Sequence, residues 1–305
     1  MSLQNKRILL TGAGGMLARE LAPLLKERGA QVVLSARSPS EGAELALDIT
    51  DEAQTRSVVE SVRPDSIINC AAYTKVDLAE TDYQNALGVN AVGAANLAAA
   101  AKRAKSKLVH ISTDYVFGNA SLEKREPFVE EAPVSPCGMY GHSKRLGEDF
   151  IRSVYPEGSV IVRTSWLHGI HGNNFIDTML RVGKERGEVK VVNDQFGSPT
   201  WTGWLSEVII GLLEKNATGV FHASSEGEIS WFDFAKEIFL QAQMPVNVLP
   251  QSTEELNRPA PRPPYSVLSS KKVESLLGIK PFSWKESIER HLEKRKSEFV
   301  NVGNG

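Results

Sequence analysis

Cysteine is scarce in this chain. Among 305 residues only Cys70 and Cys137 occur, with no C-x-x-C spacing, so neither a disulfide framework nor a thiolate metal site is expected. Cys70 sits in an apolar run and reads as a small core residue, Cys137 as a loop thiol. An excess of one charge is also missing. Lys plus Arg number 35 and Asp plus Glu 37, a formal net charge of −2. That balance argues against nucleic acid or an anionic membrane as a partner. No apolar run reaches the about 18 residues of a membrane span, and the N-terminus lacks a signal-peptide pattern. Repeats and low-complexity tracts are absent. These absences leave the expectation of a soluble, cytoplasmic protein, long enough to bury a large core as one big domain or two.

What is present starts with Arg7–Leu10, a short apolar strand running into Thr11-Gly12-Ala13-Gly14-Gly15-Met16-Leu17-Ala18. Leu17, Leu21, Leu24 and Leu25 then recur at helical spacing, and Gly29 ends the helix. Strand, glycine turn and helix make a phosphate site: Gly12, Gly14 and Gly15 let the backbone approach a pyrophosphate, and the helix N-terminus offers N–H groups. Gln31–Ser35 reads as a second strand. A dinucleotide fold often ends this strand on an acid that binds the adenosine 2′-hydroxyl. Here it ends Ser35-Ala36-Arg37. A hydroxyl and a guanidinium suit a 2′-phosphate, which favours NADPH, with NADH as the alternative. Asp48 and Ile49 are placed for the adenine side, and Thr50 or Asp51 for a helix cap. Ser66–Asn69 is a buried strand followed by small residues, Cys70-Ala71-Ala72-Tyr73, that leave room for a flat ligand. Tyr83–Ala104 reads as a long helix with a small-residue face, in which Asn90 is either a surface amide or a bridge to the sheet. Alternating strands and helices predict an α/β fold, a doubly wound parallel sheet with its ligand at the carboxyl ends of the strands.

The most informative stretch lies further on. Leu108–Ile111 is an apolar strand ending in Ser112, Thr113 and Asp114, and a segment opening with Tyr140 and Lys144 follows. If that segment is helical, residues four apart share a face. A phenol and an ammonium then point together beneath the strand-end hydroxyls. A free Tyr, with a pKa near about 10, is a poor acid at neutral pH. A neighbouring cation lowers that pKa, as proton delivery to a carbonyl oxygen requires. His142-Ser143 is not a hydrolase pair, because helix neighbours diverge and G-x-S-x-G does not occur.

The second half carries Ser159–Thr164, a strand ending in Ser165-Trp166, where Trp166 either stacks on a ligand or fills the core. His168 and His171 lack an acidic or Cys partner at ligand spacing, so no metal is expected. Asn173-Asn174-Phe175 precedes a helix, and Asp194–Thr200, with Gln195, is a polar, glycine-bearing loop. Ser230 caps a helix. A strand near residues 219–224 is expected to rejoin the main sheet. Arg258 and Arg262, on a proline-rich stretch, either clamp a diphosphate or belong to a rigid linker. Residues 1–170 are read as a dinucleotide-binding Rossmann domain, and 171–305 as mostly a smaller α/β substrate-binding domain.

Taken together, T-G-A-G-G-M-L-A at 11–18, C-A-A-Y-T-K-V-D at 70–77, I-S-T-D-Y-V-F at 111–117, Y-G-H-S-K at 140–144, R-T-S-W at 163–166, N-D-Q-F-G-S-P-T at 193–200 and R-P-P-Y-S at 262–266 resemble the extended short-chain dehydrogenase/reductase family. The resemblance is strongest to its dTDP-4-dehydrorhamnose reductase branch and covers nearly the whole chain. It implies Thr113, Tyr140 and Lys144 as the catalytic three. It implies Gly15, Met16 and Leu17 under the pyrophosphate, and Ala71, Ala72 and Tyr73 along the cofactor, with Ser112, Tyr140 and Lys144 at its reactive end. The implied contacts to a dTDP-sugar are Val76, Thr113, Asp114, Trp166, Asn174, Gln195 and Arg262. The implied reaction is reduction of the C4 ketone of dTDP-4-dehydrorhamnose, and a homodimer is allowed. Two departures stand out: Ala18 replaces the usual third glycine, and Gly203 stands where some members carry a metal-binding Glu, so no metal is implied. A dehydratase or epimerase of the same superfamily is one alternative; Tyr115 after Asp114 disfavours dehydration, which uses Asp-Glu there. A non-catalytic NADP-binding regulatory subunit is the other, although it need not retain Tyr140, Lys144 and Thr113.

Overall fold

The computed structural model describes residues 2–38, 42–119, 122–123 and 125–302. Six strands in chain order, β1 (Arg7–Thr11), β2 (Gln31–Ala36), β3 (Leu45–Ala46), β4 (Ser66–Asn69), β5 (Lys107–Thr113) and β6 (Ser159–Thr164), join Gly219–His222 in one seven-stranded sheet. Its spatial order is Gly219–His222, β6, β5, β4, β1, β2, β3, and every pairing is parallel. The chain therefore winds outwards from β1 in both directions, the doubly wound arrangement expected from alternating strands and helices. The two-residue edge strand β3 has too little apolar patterning to stand out in the sequence.

Both faces of a parallel sheet are covered, so its strands are apolar throughout. Side chains alternate between the faces. Ile8 and Leu10 of β1 enter one core with Leu21 and Leu25, whereas Leu9 enters the other with Ile67, Leu97 and Leu108. Helix α1 (Met16–Glu27) covers the first face, joined by helix Thr202–Glu214. The second face is covered by α2 (Glu52–Val62), the segment Tyr83–Ala104 and α5 (Met139–Val154). Asp51 caps α2 by accepting the Gln54 N–H at 2.9 Å. Helix Thr202–Glu214 and strand Gly219–His222 thus belong to the sheet layer although they lie late in the chain. Beside this layer, helices Phe175–Arg186 and Trp231–Gln241 pack with the C-terminal helix Trp284–Val302 through Ile176, Phe234, Ile238, Ile288 and Leu292. Strands Glu188–Val192 and Asn247–Gln251 pair parallel next to them.

The Tyr83–Ala104 segment is not a uniform helix. It consists of α3 (Tyr83–Leu87), a π turn (Gly88–Val92) and α4 (Gly93–Ala104). Single π turns inside helices mark places where a side chain must be re-aimed. Here that side chain is Asn90. It is buried and bridges inward: Oδ1 accepts the Tyr73 N–H at 2.9 Å, while Nδ2 donates to the Tyr73 carbonyl at 3.0 Å and to Ser143 Oγ at 2.9 Å. The π turn thereby ties the loop after β4 to α5.

Gly147 of α5 meets the same turn from the other side. A methyl group there would run into the Asn90 carbonyl oxygen and crowd Ala94. Gly147→Ala is therefore expected to force α5 off the π turn and cost about 1–3 kcal/mol of stability. Urea unfolding measures this; an unchanged midpoint would contradict the close approach.

Candidate active site

A crevice of about 570 Å³ opens at the carboxyl ends of β1, β2 and β4, lined by Gly12, Gly14, Gly15, Arg37, Asp48, Ile49, Ala71, Ala72 and Tyr73 among others. Its floor is the turn after β1. Gly12 has φ +73°, and a Cβ there would lie 2.7 Å from the Ala71 nitrogen. Only a residue without a side chain holds this left-handed conformation against a neighbouring backbone at no steric cost. Gly15 starts α1 with no capping side-chain hydrogen bond, so the first helical amides are presented to a ligand with the positive end of the dipole. Met16 is half-buried at the helix start, and Leu17 turns into the core beneath it. Asp48 is braced by its own loop, Oδ1 accepting from Thr50 N and Oγ1 at 2.9 and 2.7 Å. These features fit the phosphates and the adenine side of a dinucleotide.

The expectation for Ser35 needs correction. Its side chain is fully buried and donates to the Leu10 carbonyl at 3.4 Å, inside the sheet. The hydroxyl is thus turned away from the crevice, and the exposed Arg37 is left as the cationic group at the adenosine end.

Strand β5 lies next to β4 in the sheet, and α5 packs against β5 and the turn that follows its tip. The α5 N-terminus receives the Glu80 carboxylate on the Met139 N–H at 2.8 Å, favourable charge at the positive end of a helix. Tyr140 and Lys144 stand one turn apart on the α5 face turned to the sheet, as their spacing predicts. Burial pushes the Tyr140 phenol up to about 12; the neighbouring Thr113 hydroxyl works against that rise and Asp114 adds to it. The Tyr115 ring meets Tyr140 edge-on, centroids 5.4 Å apart. Lys144 is buried and donates to the Ile111 carbonyl at 2.6 Å, with His110 Nε2 at 3.3 Å. Burial brings its ammonium down to about 8, against the pull of Glu148 and Cys70. The expected effect of Lys144 on Tyr140 is not realised in this arrangement: the lysine's charge is spent on the Ile111 carbonyl, and burial governs the phenol.

Ser112 needs correction as well. Its hydroxyl donates to Glu148 Oε1 at 2.6 Å, behind the strand and away from the crevice. The Glu148 carboxylate also receives Arg163 in a two-pronged pair, Nε to Oε1 at 2.8 Å and Nη2 to Oε2 at 2.7 Å. Both side chains are buried. Glu148 is the next residue of the Tyr140–Lys144 face, four positions on. That spacing marks it in the sequence as the third residue of the same face.

Several expected sugar contacts are committed elsewhere. Asp114 is buried, accepts from Ser266 Oγ at 2.6 Å and from Thr113 at 3.1 Å, and is raised by burial to about 6. Asn174 caps helix Phe175–Arg186, accepting the Asp177 N–H and donating to the Gly169 carbonyl. Gln195 donates to Thr253 Oγ1 at 2.9 Å. Trp166 has φ +46° and stacks on Trp231 at 3.5 Å, which realises its core reading on one ring face. Arg262 pairs with Asp77 at 2.6 Å, and Arg258 reaches the same carboxylate at 3.6 Å. Arg262 also acts electrostatically on Tyr115, so Asp77, Arg262 and Tyr115 stand in line towards Tyr140, with half-buried Val76 adjacent in sequence to Asp77. Asp77, in a turn, carries no periodic signal, and Tyr115 is marked in the sequence only as the residue that follows Asp114. Among the described residues, no cluster of three or more His, Cys, Asp or Glu side chains is placed to hold a metal ion.

The family model described as RmlD substrate binding domain matches residues 6–297. The chain is similar to the Bacillus subtilis (strain 168) protein named spore coat polysaccharide biosynthesis protein SpsK, 38% identical over 291 residues, covering 95% of this chain and 98% of that one. A dTDP-4-dehydrorhamnose reductase of Streptomyces griseus is 40% identical over 289 residues, covering 92% and 91%. Among solved structures, the crystal structure of dTDP-4-dehydrorhamnose reductase from Bacillus anthracis str. Ames in complex with NADP superposes with a TM-score of 0.89 at 42% identity, covering 95% of this chain and all of that one.

The Glu148–Arg163 pair allows a stability test. Burial alone would raise the Glu148 carboxyl, but Arg163 and then Ser112 outweigh it and hold the group below its usual range. The contribution is therefore complete above the ordinary glutamate value of about 4.3 and is lost as pH falls through the lowered folded value. Arg163→Met, which leaves the carboxylate buried without its partner, is expected to cost about 3–5 kcal/mol at pH 7. Denaturant unfolding checks this, and a loss below about 1 kcal/mol would contradict the anchoring role.

Proposed function

The chain belongs to the RmlD substrate binding domain family, and from that premise we propose that it is an NADPH-dependent reductase acting on the C4 ketone of dTDP-4-dehydrorhamnose to give dTDP-L-rhamnose. The observation that carries this reading is the buried Lys144, one turn from Tyr140 and donating to the Ile111 carbonyl near the tip of β5, with the Thr113 hydroxyl beside the phenol and the glycine-floored crevice at the ends of the neighbouring strands. Named reductases of this substrate at about the same length support it. The NADP in the Bacillus anthracis structure supports the cofactor, with NADH as the alternative.

When bound, the cofactor supplies the hydride. Gly12, Gly14 and Gly15, with the α1 amides, hold its diphosphate; Arg37 takes the adenosine phosphate; Asp48, Ile49 and Ala71 to Tyr73 flank the rest. Tyr140 donates the proton that the reduced oxygen needs. In the buried site the phenol keeps that proton at neutral pH, so the acid is loaded before substrate arrives. Thr113, beside the phenol with its hydroxyl donated to Asp114, borders the same oxygen. Lys144 orients the cofactor's ribose and, turned from the Ile111 carbonyl towards it, favours the phenolate left after transfer. Asp114, Asn174, Gln195 and Trp166 shape the sugar side through the contacts they make within the protein, and Arg262 with Val76 borders it. Residues 1–170 hold the cofactor, and 171–305 most of the sugar nucleotide. Among the described residues no helix is long and apolar enough to cross a membrane; the enzyme is read as cytoplasmic, with no nucleic-acid partner and with a homodimer allowed. Tyr115, packed against Tyr140 where a dehydratase carries its second acid, argues against elimination of water.

NADPH absorbance followed with dTDP-4-dehydrorhamnose tests the reading: one cofactor oxidised per sugar converted supports it, and no oxidation overturns it. Tyr140→Phe is expected to bind NADPH as before while losing roughly 10²–10⁴-fold in kcat; full turnover would remove Tyr140 as the acid. Because Lys144 acts as the ammonium, kcat/KM is expected to fall as pH rises through about 8, and a flat profile to pH 10 or so would contradict that role.

A further inference from the structure

A line of buried polar side chains runs under the site from the glycine turn to Lys144, and its hydrogen-bond directions can be read from one backbone donor. The Ala71 N–H donates to Asn69 Oδ1 at 3.1 Å, and Thr11 Oγ1 donates to the same oxygen at 2.7 Å. An amide N–H cannot accept, so the Asn69 oxygen must face Ala71 and its NH₂ must face the other way. On that side lies His110 Nδ1 at 3.0 Å. It meets a donor, so it accepts through its lone pair. A neutral imidazole accepting at Nδ1 carries its proton on Nε2. His110 Nε2 lies 3.3 Å from Lys144 Nζ. Asn69, His110 and Lys144 are all buried.

We propose that Asn69 and His110 are positioning residues for the active-site lysine: Asn69 locks His110 into the Nε2–H tautomer, and that N–H is aimed at Lys144 Nζ. An ammonium facing an N–H has no acceptor there, whereas a neutral amine accepts the bond. The lock therefore biases Lys144 against its charged form and steers the ammonium's hydrogens to the Ile111 carbonyl and the crevice. Three further groups face or flank the lysine. Cys70 lies after β4, Glu148 one turn further along α5, and Tyr140 one turn before it. Cys70 and Glu148 pull towards the ammonium. His110 is itself barred from protonation, because a second N–H would confront the Asn69 NH₂. Burial and Lys144 act in the same direction on the ring. The same asparagine oxygen is tied to Thr11 and Ala71, which border Gly12 in the cofactor crevice, so the lock spans both halves of the site.

This inference rests on Lys144 serving the reductase proposed above, but its first test does not. Histidine-selective ¹⁵N NMR of the full chain without cofactor, with the His110 signals assigned by their loss in His110→Phe, reads the tautomer directly. The expected result is Nδ1 unprotonated and Nε2 protonated from pH 6 to pH 9 or so; a proton on Nδ1 overturns the proposal. Asn69→Asp, which replaces the NH₂ by an acceptor, is expected to move the proton to Nδ1, and an unmoved proton means that Asn69 sets nothing. In the second test the alkaline limb of kcat/KM is expected to move up by roughly one pH unit in His110→Phe. An unmoved limb in an active variant overturns the bias on Lys144. If the wild type oxidises no NADPH, the reductase reading fails, while the NMR result still decides the tautomer lock.

Discussion

The ion pair between Glu148 and Arg163 anchors the chemistry. Its carboxylate and guanidinium are removed from water and meet through two parallel hydrogen bonds, with Ser112 adding a third to Glu148. Arg163 is further held by His222 Nε2 at 3.2 Å, whose other nitrogen donates to the Phe128 carbonyl at 2.9 Å. Such a pair contributes little net free energy compared with an apolar replacement, but it is intolerant of misplacement. The pair therefore acts as a register pin. Glu148 lies on α5, Ser112 on β5, Arg163 on β6 and His222 on the strand beyond, so four elements are locked to one another at a single depth. With Glu148 fixed, helical geometry sets Lys144 and Tyr140 one and two turns back, at the tip of β5.

The adjacent stripe of α5, Ser143 and Gly147, is positioned by packing rather than charge. The π turn aims Asn90 at Tyr73 and Ser143, and Gly147 lets the helices touch. The glycine turn after β1 is held against Ala71 in the same manner, since Gly12 tolerates a neighbour no side chain would. Two close backbone approaches and one buried ion pair thus converge on the same crevice. The cost is a site lined by desolvated groups: burial moves Tyr140, Asp114, Cys70 and Tyr115 upward and Lys144 and His110 downward. In each case the charged form is disfavoured. A reduction that begins with a neutral acid suits such a setting.

Much of this is legible in the sequence. The strand–glycine–helix succession at 7–28 and the apolar runs at 66–69, 108–111 and 159–164 carry a parallel sheet in their periodicity. Helical spacing alone brought Tyr140 and Lys144 together. What stayed hidden was direction. Ser35 and Ser112 look like ligands because hydroxyls at strand ends so often are, yet the alternation of a strand turns each one inward, to Leu10 and to Glu148. Asn174 and Arg262 sit in loops, where no period says which way a side chain points; one became a helix cap and the other the partner of Asp77. His110 shows nothing of its role in the sequence, and Tyr115 shows only that it follows Asp114: the importance of each lies in what it touches, and those partners are 34 and 25 positions away.

The account turns on where the reactive end of the cofactor lies relative to Tyr140 and Lys144. A crystal structure of this chain with NADP bound measures it most directly. The account predicts the diphosphate on the α1 N-terminus, the nicotinamide ribose hydroxyls within hydrogen-bond reach of Lys144 Nζ and the Tyr140 phenol, and open space for a sugar ring above Thr113. A nicotinamide lying away from the tip of β5, or a Tyr140 phenol shut off from it by Tyr115, would contradict the account at its centre.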